Sequence, residues 1–240
     1  EGKAKTVDNI DFTKRVANGP TDRGFDYFYG LTSPSGPPHL YMVNDMAEKQ
    51  PNTRFEESGG GLYKIKGGIG HSDWSSDGMQ PHLADKMLEY LDENKDSDKP
   101  FFLYMALTAP HIPLFPSKEF KGKSKIGDYG DLVMMIDDIV GRVNRKLKEI
   151  GKYDNTIVMF AADNGCAGYI NMDRINRKGH YPSYIYRGYK SHGWEGGHRI
   201  PFILSWGDRY GHVTDNSLVS LTDLLSLIHI SEPTRPRLIS

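Results

Sequence analysis

Residues Tyr129 to Ile150 constrain this chain more than any other stretch. Tyr129, Leu132, Val133, Ile136, Ile139, Val140, Val143, Leu147 and Ile150 recur at i, i+3, i+4 spacing, which gathers apolar side chains on one face of a helix. Gly151 follows as a C-terminal signal, and Asp128 stands where an N-cap is expected. An apolar run of strand length lies on each side: Phe101–Leu107, introduced by Pro100, and Thr156–Ala162. Continuous apolar runs suit strands covered on both faces. Strand, long helix and strand predict a βαβ unit with a right-handed crossover. The expected fold class is therefore α/β, with a mostly parallel central sheet and helices on both faces.

Two parallel strands point their carboxyl ends the same way. The first run ends in Thr108–Ala109–Pro110–His111–Ile112–Pro113, the second in Asp163–Asn164–Gly165. His111 and the Asp163–Asn164 pair are thus expected on one sheet edge, the edge where ligands bind in open α/β sheets. A carboxylate and an amide oxygen at that place suit a hard cation, calcium or magnesium. By itself Asn-Gly reads only as a turn.

The remaining chain is organised around this unit. Leu83, Met87, Leu88 and Leu91 predict a helix over Met79–Asn94. Upstream, the first twenty residues are polar and irregular, and Gly24–Phe25–Asp26–Tyr27–Phe28–Tyr29–Gly30 is an aromatic packing cluster with a turn at each end. Ser33–Pro38 reads as loop, and Leu40–Val43 as a short edge strand. Glu48–Gly70 is a glycine-rich excursion with a hairpin at Tyr63–Ile65. Downstream, Gly168–Tyr189 is a polar, tyrosine-rich insertion, and Lys190–Pro201 leads into a strand at Phe202–Trp206. If that strand is parallel, Lys190 and His198 start at the wrong edge. Either it is antiparallel, or the loop reaches back over the sheet.

Composition removes several classes. Thirty basic against 31 acidic residues give no footprint for nucleic acid. Hydrophobic residues make up 38% of the chain, enough to bury a core, and no apolar run is long enough to span a membrane. Cys166 is the single cysteine, so an internal disulfide and a cysteine-based zinc site are both excluded.

The segments Gly24–Gly30, Ala109–Pro113, Tyr129–Gly130–Asp131 with Asp137–Asp138, Ala162–Gly165, and Lys190 with Glu195–Pro201 together resemble the sulfatase family. The likeness is to arylsulfatase-like enzymes of the alkaline-phosphatase-like superfamily and covers about Asp8 to Leu224. Residues 1–224 are accordingly identified as a sulfatase catalytic domain, partial at its N-terminal side. The resemblance implies that Asp163 and Asn164 ligate the active-site metal, with calcium ahead of magnesium. It implies that His111 and Lys190 are catalytic and bind the substrate: His111 faces the sulfate ester, and Lys190 neutralises charge near the bridging oxygen. Glu195, Gly196 and Gly197 are implied to be structural. The implied substrate is a small-molecule or glycan sulfate ester, and the implied location is periplasmic or extracellular.

The family carries its nucleophile early in the chain, in a Cys/Ser-x-Pro-x-Arg segment whose first residue becomes formylglycine. No such segment precedes Gly24, and Cys166 is followed by Ala167, Gly168, Tyr169 and Ile170, so Cys166 is not that residue. Formylglycine, an Asp pair and a Lys-x-His segment are expected upstream of Glu1, and this polypeptide alone is expected to be inactive. Ser226–Arg235 resembles the translation of a transposon adapter used in sequencing libraries, which marks residues 225–240 as a non-native tail. Two rival readings remain at this point. One is a phosphatase or phosphodiesterase of the same superfamily, against which Asn164 stands where a two-metal site wants histidine. The other is a non-catalytic scaffold that keeps the fold.

Overall fold

The computed structural model describes residues 10–33 and 35–224; the adapter-like tail lies outside them. The chain forms two compact units, residues 1–207 and 208–240. In the second unit, the described part is held by short turns, in which the Ser217 N–H donates to Asp215 at 2.8 Å and the Ser220 N–H to Asp223 at 2.7 Å.

The first unit opens with a small antiparallel sheet of β1 (Tyr29–Gly30), β2 (Met42–Val43) and β3 (Met46–Ala47), in the order β1-β2-β3. The stretch expected as an edge strand therefore supplies the middle strand. Gly24 takes the expected turn, with φ 102°, but Gly30 lies within β1. β4 (Thr53–Phe55) pairs antiparallel with β5 (Gly68–Gly70), and a bridge between Ser58 and Ile65 closes the excursion between them. The Tyr29 hydroxyl reaches Glu48 and His82, each at 2.7 Å, so the aromatic segment packs as expected.

Helix α1 (Met79–Glu93) and helix α2 (Asp128–Glu149) follow the predicted periodicities closely. Their facing sides build the main core: Ala84 from α1, Leu132, Met135 and Ile139 from α2, with Leu114 and Phe120 from the connection. Full burial of a side chain such as Leu132 stabilises by about 1.5–3 kcal/mol. A second cluster joins Tyr41, Trp74 and Met79. Asp128 is not the cap; it is the first helical residue, and Gly127 precedes it with φ 90° and no side-chain capping bond. The acidic group that organises this end is Asp131, wholly buried, which accepts from the Gly122 N–H at 2.7 Å and the Ser124 N–H at 2.5 Å. Both Asp128 and Asp131 lie in the first turn, where the helix dipole favours negative charge.

The sheet expectation is where the structure differs. β6 (Ile157–Ala161) and β7 (Phe202–Trp206) form where predicted, but they pair antiparallel, Ile157 opposite Trp206 and Ala161 opposite Phe202. Phe101–Leu107 is irregular, without a ladder partner among the described residues, and the Leu107 N–H donates to the Met105 carbonyl at 3.2 Å. Its burial alternates: Met105 and Leu107 pack on the core, while Phe102 and Tyr104 are 65% and 72% exposed. No βαβ unit is therefore closed within the described residues, and every strand pair among them is antiparallel. The helices and short sheets together make a mixed α/β architecture; among the described residues the parallel arrangement expected is represented only by the isolated bridge between His39 and Gly70.

Candidate active site

The antiparallel pairing decides how Lys190 reaches the edge where Asp163 stands. With Ala161 opposite Phe202, the end of β6 lies beside the start of β7. The segment before β7 therefore arrives at the edge from which Asp163 and Asn164 emerge. Two backbone hydrogen bonds fix this meeting. The Gly165 N–H donates to the Gly197 carbonyl at 2.9 Å, and the Lys190 N–H to the Cys166 carbonyl at 2.9 Å.

The glycines are required by contact. A Cβ on Gly165 would lie 1.9 Å from the Gly196 carbonyl oxygen, one on Gly196 2.2 Å from the Gly188 oxygen, and one on Gly197 2.0 Å from the His192 oxygen. Gly196 and Gly197 are buried within the short helix α3 (Glu195–His198). Glu195 pairs with Arg199 at 3.2 Å across one turn of this segment, and Arg199 also lies over the Tyr186 ring at 4.6 Å. Arg187 lies over Trp194 at 4.0 Å. The Lys190–Pro201 loop is thus braced by its own Glu195–Arg199 pair and by Tyr186 and Arg187 just before it, and held to the β6 turn by its backbone.

The side chains left over carry the chemistry. Asp163 is exposed, and its carboxylate has no hydrogen-bond or ion-pair partner among the described residues; the Lys190 ammonium also has none. Asn164 is half-buried, and its amide nitrogen donates to the Gly165 carbonyl at 3.1 Å. That leaves the amide oxygen of Asn164 without a partner among the described residues, as a donor atom for a cation.

His111 is reached through Tyr169. The Tyr169 ring meets the His111 ring edge-on at 6.4 Å, and its hydroxyl meets the Ile112 backbone. Tyr169 lies three residues past Cys166 on the same loop. Cys166 in turn donates from Sγ to the Tyr129 hydroxyl at 3.4 Å, tying the loop to the first turn of α2. Burial pushes both the Cys166 thiol and the Tyr169 phenol up from their ordinary ranges. On His111, Nδ1 bonds the Ile112 carbonyl at 2.7 Å. A carbonyl only accepts, so Nδ1 carries the hydrogen, and the neutral ring presents Nε2 as an acceptor. Nε2 donates only in the imidazolium form.

The structure therefore joins Asp163, Asn164 and Lys190 through one pair of backbone bonds, and His111 through the Tyr169 contact. Tyr129, Cys166 and Tyr169, which sequence reasoning did not place at the site, are the joints. Asp137 and Asp138 take no part; Asp138 pairs with Arg145 at 3.5 Å on α2. His192 lies against Tyr189 at 4.1 Å.

Asp163 and Asn164 offer oxygen donors of the kind a hard cation selects, but calcium takes six or more. Among the described residues no three His, Cys, Asp or Glu side chains stand close enough to hold a metal. The donor chemistry fits, and these two residues would be part of a larger shell. A Ser-x-Pro-x-Arg string does occur once, at Ser231–Glu232–Pro233–Thr234–Arg235. It falls late in the chain, in the adapter-like tail and outside the described residues.

The sulfatase family model matches residues 7–229. An N-acetylgalactosamine-6-O-sulfatase of Bacteroides thetaiotaomicron is 33% identical over 156 residues, 64% of this chain and 30% of that protein. An uncharacterised sulfatase of Escherichia coli, YdeN, is 30% identical over 213 residues, 85% of this chain and 32% of that protein. A solved structure from work on glycosaminoglycan metabolism by Bacteroides thetaiotaomicron superposes with TM-score 0.80 at 25% identity, over 96% of this chain and 55% of that one. The chain spans about a third or less of the length of these curated relatives.

Proposed function

The chain belongs to the sulfatase family, and on that premise we propose that it carries the sulfate-recognition part of an enzyme that hydrolyses glycan sulfate esters. In that reaction the bond between sulfur and the ester oxygen breaks. Water supplies the new oxygen on sulfur, and its proton ends on the leaving alcohol. The glycan assignment is supported by the relative named for N-acetylgalactosamine 6-sulfate.

Lys190 and His111 are the substrate-binding and catalytic pair in this reading. The unpaired ammonium of Lys190 neutralises charge growing on the bridging oxygen. Protonated His111 donates from Nε2 to a sulfate oxygen or to the leaving oxygen, its ring held by the Nδ1 bond to Ile112. Preorganised donors of this kind act where charge develops. Asp163 and Asn164 would be two ligands of a divalent cation, calcium by family likeness, which when bound withdraws charge from sulfate oxygens. No step is assigned to formylglycine, because no described residue stands in its segment.

The observation that carries the reading is the bond between Lys190 and Cys166, which ties an unpaired lysine to the turn that carries the unpaired Asp163 carboxylate and Asn164. The test is titration of the purified 240-residue chain with methyl sulfate, followed by NMR, and a parallel assay for sulfate release. Saturable binding that is lost in Lys190→Ala and His111→Ala, without turnover, is the expected result. Binding untouched by both substitutions overturns the site, and measurable turnover overturns the assignment of this chain to recognition alone.

A further inference from the structure

His111 also lines a second feature, a small cavity shared with Ser35, His39, Ser76, Gln80 and Thr108. The space open to the centre of a water-sized sphere is about 20 Å³, room for a single water or hydroxyl. None of its lining residues is Asp, Glu, Lys or Arg. His39, 2% exposed, bonds the Lys66 carbonyl through Nε2 at 2.7 Å, and burial holds its ring toward the neutral form. The cavity has mostly apolar walls, among them Trp74, Met79, Phe115 and Leu132, and its few polar groups stand between them.

Two of its polar groups are buried without a hydrogen-bond partner among the described residues, Gln80 Oε1 and Ser76 Oγ. Gln80 is 2% exposed, and the nitrogen end of its amide bonds the Thr108 hydroxyl. Thr108 can donate or accept, so turning the amide merely exchanges the end that is left over. What the cavity lacks is a group that both donates and accepts, is uncharged, and is no larger than a water. A hydroxyl meets all three conditions. Buried polar groups are rarely left unsatisfied, so these two point to an occupant.

We propose that this cavity is a hydroxyl subsite. It takes one free hydroxyl of the sulfated sugar whose ester group faces His111, with Gln80 and Ser76 as its hydrogen-bond partners. The proposal rests on the sulfate-ester reading above and makes Gln80 and Ser76 residues of specificity. They distinguish a sugar sulfate from a simple alkyl sulfate, because a site built to bond a hydroxyl rejects the analogue that lacks it.

The test compares binding of N-acetylgalactosamine 6-sulfate with binding of methyl sulfate, which has no hydroxyl. The proteins are the 240-residue chain and its Gln80→Met and Ser76→Ala variants, each checked for an unchanged thermal melt. The expected result is a preference for the sugar sulfate that falls about tenfold in each variant, with methyl sulfate binding unchanged. Ser76→Ala, the smaller change, carries the comparison if Gln80→Met does not fold. A preference that is unaltered in the variants means that the cavity holds only water, and overturns the subsite. Equal weakening of both ligands also overturns it, because the effect then runs through the sulfate site. Failure of the parent chain to bind either ester overturns the sulfate reading and the subsite with it.

Discussion

The Lys190 N–H donates to the Cys166 carbonyl at 2.9 Å, across an insertion of more than twenty residues. One bond therefore places a lysine from the end of a long loop beside the turn that follows β6. The Gly165–Gly197 bond makes a second contact between the same segments, one residue before Cys166 and seven after Lys190. The candidate site depends on this pair of backbone contacts more than on any single side chain.

The first prediction concerns close approach. A methyl group on Gly165 or Gly197 has carbonyl oxygens within 2.0 Å, and the atoms that must give way are backbone. Gly165→Ala and Gly197→Ala are each expected to destabilise by about 2–3 kcal/mol, read as a fall in denaturant midpoint. Gly193→Ala, with open space around its Cβ position, serves as the control and should stay within about 0.5 kcal/mol.

Removing charge at the site should act on ligand and not on fold. Lys190→Ala is expected to weaken methyl sulfate binding about tenfold to a hundredfold, the worth of one charge-assisted hydrogen bond. Its thermal midpoint should hardly move, since the ammonium has no partner among the described residues. A large drop in midpoint would show that the lysine is structural.

Asp131 should behave in the opposite way. It is wholly buried and accepts two backbone N–H groups. Asp131→Ala leaves both donors unpaired and is expected to cost about 3 kcal/mol or more. Asp137→Ala, on the outer face of the same helix, should change stability by less than about 0.5 kcal/mol. Urea unfolding of the two variants decides the contrast.

Acid should weaken the fold through His39 and His82. Desolvation lowers both imidazole pKa values below the ordinary 6.5, so the folded state binds these protons less readily than the unfolded chain. Stability from this source is complete above the unfolded value. It falls as pH drops through about 6.5 toward the lowered folded values. His39→Phe, if it folds, should flatten that part of a stability–pH curve.

Cys166 should react slowly. Burial raises its thiol pKa and its hydrogen is shared with Tyr129, so little thiolate forms near neutral pH. Alkylation by iodoacetamide should be much slower than for a free thiol and should speed up on unfolding. Rapid modification of the folded chain would contradict the Tyr129 contact.

The parts of the fold that were legible in the sequence are those specified locally. The helical face of Leu132, Ile136 and Ile139 needs only spacing, and the stop at Gly151 only a positive φ, observed at 69°. Asp163 and Asn164 were candidates because they follow a strand end, and Lys190 only through the resemblance of the segment it opens, with Glu195–Gly196–Gly197 after it. Strand direction was not legible, since an apolar run such as Phe202–Trp206 reads the same in either sense. Phe101–Leu107 misled for a related reason. Its composition is that of a strand, but a strand also needs a hydrogen-bonded neighbour, and composition does not report one. Gln80 carried no signal in the sequence; its burial arises from packing against Thr108, a contact between residues far apart in sequence.

The Lys190–Cys166 bond has one more effect. It closes the Ala167–Tyr189 stretch at its neck, so that the stretch leaves and re-enters the structure at nearly one point. Tyr181, Tyr184 and Ile185 within it are exposed, and its anchorage does not depend on them. The exposed part around these residues is an exchangeable cassette: its surface can drift, or be replaced by design, while the neck, buried Ile170 and Ile175 and the Tyr169–His111 contact stay in place. On the sulfate-ester reading proposed above, selectivity among sulfated sugars then diverges without rebuilding Asp163 or Lys190.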